Sequence, residues 1–184
     1  MIAALIAFTG GVLTWSFAEY LIHRFLGHSR RIRSDFGKEH IRHHAVGSYF
    51  APAAKKLQAA VPILTGAFAV ALLIAGPSSG AAYGAGLSLA YLSYELLHRR
   101  AHTHPPRGPY GRWVRRHHFH HHFEDPKTNH GVTSPLGDIL FGTLARPGRI
   151  HVPERLAMEW LLDPADGEVR APHRDDYALL RRPS

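Results

Sequence analysis

Residues 57–102 read LQAAVPILTGAFAVALLIAGPSSGAAYGAGLSLAYLSYELLHRRAH, and this stretch decides the fold. From about Leu57 to Ala75 no side chain is charged, and from about Ala81 to Leu97 only Glu95 is. A membrane-spanning helix needs roughly 20 mainly apolar residues, with a range near 17–25. Both runs meet that length, the second narrowly. The link Gly76-Pro77-Ser78-Ser79-Gly80 is short and rich in turn residues, so the stretch predicts a helical hairpin. Gly66, Gly84 and Gly86, with many alanines, suit close helix contact in lipid. His98 and His102 end the second run four residues apart, on one helix face.

Upstream, Met1 to about Ile22 forms a third apolar block with Glu19 as its only charged side chain. It has neither the positive n-region nor the cleavage site of a signal peptide and is read as retained. The alternative, buried helices of a soluble bundle, rarely has charge-free runs this long. The fold expected is therefore all-α: an integral membrane bundle of about three transmembrane helices under a cytoplasmic helical cap. Residues 1–145 form the membrane domain and residues 146–184 a cytoplasmic C-terminal tail. Within these regions, Pro153 to Leu162 predicts a short helix, and Ser134-Pro135 predicts an N-cap and first turn.

The 184 residues carry 22 Lys and Arg against 14 Asp and Glu, a formal net charge of +8. The basic residues sit in two segments. Arg24, Arg30, Arg31, Arg33, Lys38, Arg42, Lys55 and Lys56 lie between the first and second blocks, and Arg99, Arg100, Arg107, Arg112, Arg115 and Arg116 follow the third. The hairpin link carries none. The positive-inside rule makes both basic segments cytoplasmic, with the N-terminus outside and the C-terminus inside. Orientation accounts for most of the charge, and no basic motif interleaved with aromatics points to nucleic acid.

Sixteen histidines stand beside no cysteine. Disulfides, cysteine-zinc sites, iron–sulfur clusters and thiol nucleophiles are excluded. Most of the histidines cluster on the side assigned to the cytoplasm: His23 and His28; His40, His43 and His44; His98 and His102; and the run 117–122. His40, His43 and His44 share a helix face, as do His118, His121 and His122. His23 and His28 diverge on an ideal helix and converge only if it loosens or ends between them, which Gly27 permits. Imidazole suits Zn, Cu, Fe and Ni. Ten candidate ligands exceed one ion's needs and fit two adjacent ions with about five nitrogens each. For any single histidine, a surface cation is the alternative reading.

The segment Glu19-Tyr20-Leu21-Ile22-His23-Arg24 is echoed by Glu95-Leu96-Leu97-His98-Arg99, an offset of 75 residues from His23 to His98. A degenerate repeat or the general preference of helix ends for basic residues accounts for it. Glu19 and Glu95 are candidates to accept the distal N–H of His23 and His98, or to pair with Arg24 and Arg99. Trp15, Tyr20, Tyr91 and Tyr94 are candidates for a substrate tunnel, or for the aromatic belt of any membrane helix.

The order His-x4-His, His-x2-His-His, His-x3-His, His-x2-His-His resembles the fatty acid hydroxylase and sterol desaturase superfamily. Asn129-His130-Gly131-Val132-Thr133-Ser134, through Asp138 to Phe141-Gly142-Thr143, resembles that family's closing motif. The match spans residues 12–145. Members commonly have four membrane helices, and this chain begins just before what corresponds to the second. The resemblance implies an oxidoreductase with a non-haem di-iron centre, whose chemistry resides in the metal rather than in further catalytic residues. With O2 and two electrons it hydroxylates or desaturates a lipid C–H bond, most simply of a fatty acyl or sterol-like substrate. The implied ligands are His23, His28, His40, His43, His44, His98, His102, His118, His121 and His122, with Asn129, His130 and Asp138 in support. Zinc can replace iron on overexpression. The register His117-x2-His120-His121 is an alternative for the last box; Phe123 after His122 favours the first. Small size keeps a carotenoid hydroxylase as an alternative, and a non-catalytic metal-binding membrane protein is a second. A ferredoxin or cytochrome b5 type donor would supply electrons from the cytoplasm; Arg112, Arg115 and Arg116 are candidates to steer it, or belong to the plain positive-inside surface, the favoured reading.

Overall fold

A computed structural model describes residues 1–29 and 31–181. Arg30, counted above in the first basic segment, and residues 182–184 of the C-terminal segment lie outside the described residues. Helix α1 (Ile2–Leu21) runs directly into a π-helical turn, Ile22–Gly27. Its buried residues are Gly11, Ser16, Glu19 and Tyr20, while Ile2, Leu5, Ile6 and Leu13 are exposed. Small and polar side chains inside with large aliphatics outside invert the pattern of a soluble helix.

Helix α3 (Ala53–Thr103) is continuous in hydrogen bonding but broken at Gly76, where φ is 74° and ψ 173°. A β-carbon opposes that conformation, and glycine adopts it freely. The two arms fold back on each other. A β-carbon on Gly80 would lie 2.6 Å from the Leu72 backbone, and one on Gly84 would strike the Phe68 ring. Helix α1 packs on the second arm through equally close approaches, Gly86 against the Phe8 backbone and Gly11 against Tyr83 and Leu87. Gly66 faces nothing within 4 Å, so it has no part in the packing expected of it.

The helices Ile2–Gly27 and Ala53–Thr103 are each long and apolar enough to cross a membrane, and the most apolar window of the second is 0% buried. Leu73 and Ile74, beside the hairpin turn, are 86% and 82% exposed. Exposed aliphatic surface of this extent identifies a lipid or protein interface and argues against the core of a soluble bundle.

The remaining α-helices are α2 (Asp35–Ala45), α4 (Gly108–Phe123) and α5 (Leu136–Leu140). Ser34 Oγ caps α2 by accepting from Gly37 N at 3.0 Å. Proline stops α3 as its sequence requires, with Thr103 its last residue and Pro105-Pro106 beyond. Leu136 N donates to Ser134 Oγ (3.2 Å) where α5 begins.

The fold is mostly helical rather than all-α. Strand β1 (Ile150–Pro153) pairs in parallel with β2 (Tyr177–Leu180). Ile150 and Val152 are buried and His151 is exposed, a period of two that suits a strand. The helix expected over Pro153 to Leu162 shrinks to one 3-10 turn, Glu154–Leu156. The remainder is committed to a core of Ile150, Val152, Met158, Trp160, Leu161, Val169 and Tyr177 against Ala101 and Phe119. Trp160 Nε1 donates to the Ala101 carbonyl at 3.1 Å. The C-terminal segment is thus the base on which α4 rests.

Candidate metal centre

The histidine-bearing elements converge on two groups of five imidazoles. His23, His28, His40, His44 and His121 form one, and His43, His98, His102, His118 and His122 the other; in each, the ligand atoms lie within 4.8 Å of one another. His23 and His28 reach the same group because the chain between them is π-helical, with i→i+5 bonding that brings residues five apart toward one side. Gly27 leaves room for the partner helix: a β-carbon there would come within 2.9 Å of the His40 ring.

The two groups share one plan. Each takes a histidine pair from the end of a long apolar helix, an i,i+4 pair from one of the helices α2 and α4, and a single histidine from the other. His40 and His44 of α2 serve the first group while His43 crosses to the second. His118 and His122 of α4 serve the second while His121 crosses to the first. The crossing residues are anchored alike. His43 Nδ1 donates to the Tyr49 carbonyl (2.7 Å) and His121 Nδ1 to the Thr128 carbonyl (2.7 Å). His44 and His122 stack face to face at 3.9 Å and 5°.

Anchoring Nδ1 fixes the tautomer and leaves Nε2 with a bare lone pair. His23 is held in the same way by the His130 carbonyl. The Nε2 atoms then crowd together: His28 to His121 at 2.8 Å, His28 to His40 at 2.9 Å, His40 to His44 at 3.0 Å, His43 to His98 at 3.0 Å and His102 to His118 at 2.9 Å. His23 Nε2 and both nitrogens of His122 are buried with no hydrogen-bond partner. Buried lone pairs facing one another are costly, and a cation in each group would satisfy them. Neither group contains a carboxylate, and the all-nitrogen donor set suits a borderline transition metal over Mg or Ca. Burial keeps these rings neutral, as ligation requires. It pushes His43 down to about 4 and His44 down to about 2, with neighbouring imidazoles adding to the effect at His44. His40, His118, His121 and His122 are lowered by the same causes.

The two registers of the last box are separated in space. His118, His121 and His122 face the groups. His117 Nε2 bonds Asp138 Oδ2 at 3.2 Å, and His120 belongs to neither group. Asp138 is fully buried and also accepts from His130 N (2.8 Å), Gly131 N (2.9 Å) and Thr143 Oγ1 (2.7 Å). Burial pushes its carboxyl up, but these bonds outweigh burial and hold it below the usual range. Asn129 sits in the left-handed region at φ 55°, and its Oδ1 accepts from Ala145 N at 2.7 Å. Together they fold residues 129–145 so that the His130 carbonyl meets His23.

The two glutamates do other work than expected. Glu19 accepts from Val132 N, Thr133 N (2.8 Å) and Thr133 Oγ1 (2.6 Å), pinning the closing segment to α1 rather than orienting His23. Glu95 pairs with Lys56, joining the two arms of α3, and not with His98 or Arg99. Arg24 bonds the Tyr20 hydroxyl at 2.5 Å. Arg115 is buried and donates to the carbonyls of Arg100 (2.8 Å), His104 (2.7 Å) and Gly111 (2.9 Å), so it closes the end of α3 and is not available to steer a donor. Trp15 contacts Tyr91 at 4.9 Å, and Tyr94 stacks on His98 at 5.6 Å.

The sequence model of the fatty acid hydroxylase family matches residues 8–143, which contain every one of these ligands. The chain belongs to the fatty acid hydroxylase family. It is 30% identical over 152 residues to the dihydroceramide fatty acyl 2-hydroxylase FAH2 of Arabidopsis thaliana, covering 78% of this chain and 61% of that protein. Human fatty acid 2-hydroxylase is 31% identical over 154 residues, covering 77% and 40%. The ceramide very long chain fatty acid hydroxylase scs7 of Schizosaccharomyces pombe is 32% identical over 148 residues, covering 76% and 42%. The hydroxylase domain of full-length scs7p shares the fold, with a TM-score of 0.59 at 24% identity over 78% of this chain and 57% of that one. The chain thus spans between about two fifths and three fifths of the length of these relatives.

Within the family site, the carbonyls of Tyr49, Thr128 and His130 are the anchors that side-chain reading missed. Each is a main-chain atom and carries no sequence signal of its own. Thr133 and Thr143 lay inside the closing motif but had no role assigned.

Proposed function

We propose that this chain is the catalytic core of a membrane-bound fatty acyl hydroxylase with two iron ions. The first would be held by His23, His28, His40, His44 and His121, the second by His43, His98, His102, His118 and His122. The carrying observation is the pair of five-imidazole groups with buried, unpartnered nitrogens at the ends of lipid-type helices. When bound, the metal pair supplies an oxidant derived from O2 that is strong enough for an aliphatic C–H bond. The balance is R–H plus O2, two electrons and two protons giving R–OH and water.

The protein's own part is positional. Anchored tautomers hold the ligand nitrogens without reorganisation. Burial of both groups excludes water from the reacting centre. Tyr94 stacks on His98 and meets Trp15 of α1, and an acyl chain would approach past this aromatic pair. The relatives' names favour hydroxylation at carbon 2 of a fatty acyl chain over desaturation, and the carotenoid alternative draws no support from them. Three crossings, formed by α1 and the two arms of α3, put the histidines on the cytoplasmic side with the N-terminus outside. A ferredoxin or cytochrome b5 type protein would deliver electrons there. Residues 1–145 would carry the catalytic unit and residues 146–184 would brace α4.

The test is expression with an intact lipid pool and comparison of lipid mass spectra with a His121→Ala variant. A +16 Da acyl product that vanishes in the variant supports hydroxylation, and a −2 Da product would redirect the reading to desaturation. Unchanged lipids from iron-loaded protein with a competent donor would overturn it.

A further inference from the structure

A cleft lies beside α4, apart from the imidazole groups. It encloses about 790 Å³ and is lined by Arg112, Arg116 and Arg146, with Trp113, Pro135 and Leu144 among its apolar walls. Asp176, 3% exposed, holds Arg112 through two bonds (2.6 and 2.9 Å) and Arg116 at 3.2 Å. One carboxylate for two guanidinium groups leaves a positive charge in excess and fixes both side chains in place. Arg146 is exposed, has no ion pair among the described residues, and adds a second. No carboxylate lines the cleft. Arginine presents planar donors matched to phosphate oxygens.

Pro135 and Leu144 of this lining bracket an apolar segment. Leu136, Ile139, Leu140, Phe141 and Leu144 are 40–66% exposed, on or just after a helix whose Gly137 rests against Tyr20 at the end of α1. Aliphatic side chains at the level where a membrane helix ends, with arginines beside them, match the layering of acyl chains and phosphates.

We propose that this cleft binds the phosphate headgroup of an anionic phospholipid of the cytoplasmic leaflet, with its acyl chains along α5. The assignment rests on the membrane orientation given under Proposed function. The bound lipid would hold α5, and through Asp138 the closing segment, at a fixed depth.

The experiment uses the full chain purified in mild detergent. Native mass spectrometry and thermal unfolding are measured with phosphatidylglycerol, with phosphatidylcholine of the same acyl chains, and with inorganic phosphate. Phosphatidylglycerol should be retained at least about ten-fold over phosphatidylcholine and should raise the unfolding temperature. Arg146→Glu should abolish the preference, Arg146→Lys should keep most of it, and Arg31→Glu, a charge change elsewhere, should leave it intact. Equal retention of the two lipids, or an undiminished preference in folded Arg146→Glu, would overturn the proposal. Stabilisation by inorganic phosphate equal to that by phosphatidylglycerol would overturn the lipid assignment. Product formation measured in parallel separates the two readings, since hydroxylation by metal-loaded protein stands whether or not the lipid preference is found.

Discussion

His121 and His120 are neighbours in sequence with opposite surroundings. The first is fully buried in an imidazole group, and the second belongs to neither group. His121→Ala should remove a ligand and cut bound iron, read by metal analysis, whereas His120→Ala should leave it near the wild-type level. Asp138 acts one bond further out, by folding the segment whose carbonyl anchors His23. Asp138→Asn loses an anion that accepts four hydrogen bonds and should weaken metal affinity roughly 10–100-fold, measured by competition with a chelator. The buried imidazoles also set a pH response. His43 and His28 are each pushed down to about 4 in the fold, against an ordinary value near 6.5. Below 6.5 the unfolded chain takes up protons that the fold refuses, so the metal-free protein loses stability as pH falls from about 6.5 toward 4. Thermal unfolding across that range checks the sign; a rising unfolding temperature would contradict it. At this scale the ligand types and their spacing were legible in the sequence. The partition into two groups was not, because neighbouring histidines of one box are sent to different groups where the imidazoles of α2 and α4 meet.

Elements differ in how much they owe to local sequence. The hairpin is written into its composition: apolar runs, a glycine at positive φ, and a proline to restart the helix. The π-helical turn is a tertiary choice, since nothing in Ile22–Gly27 forbids an ordinary helix and only the convergence of His23 and His28 repays the widened turn. Gly86→Leu would drive a side chain into the Phe8 backbone and should separate α1 from the hairpin, lowering the unfolding temperature in detergent. In the C-terminal unit, Leu161 is 0% exposed among Phe119, Trp160 and Tyr177. Leu161→Ala should cost about 2–5 kcal/mol, measurable by denaturant titration of intrinsic fluorescence. The proline- and charge-rich composition after Arg146 gave little sign of this core. Its apolar residues are spaced for two short strands whose pairing joins positions 27 residues apart.

On the scale of the whole molecule, the orientation proposed from charge asymmetry is tested with single cysteines in a chain that has none. Ser78→Cys, at the exposed hairpin turn, should react with an impermeant thiol reagent in intact cells. Ala165→Cys, in the C-terminal unit, should react only after lysis; the reverse pattern would invert the topology. The sequence alone determined that the chain has long apolar helices, that its basic residues and histidines cluster in the same segments, and that no cysteine competes with imidazole. These follow from composition and local spacing, where burial and ligation are properties of the residue types themselves. Only the tertiary structure decided that ten imidazoles form two exchanged groups of five, that main-chain carbonyls anchor three of them, and that Glu19 and Asp138 clamp the closing segment rather than the grouped rings. Those features depend on contacts between residues up to 114 positions apart, and no local pattern specifies which distant carbonyl or amide a buried side chain will meet.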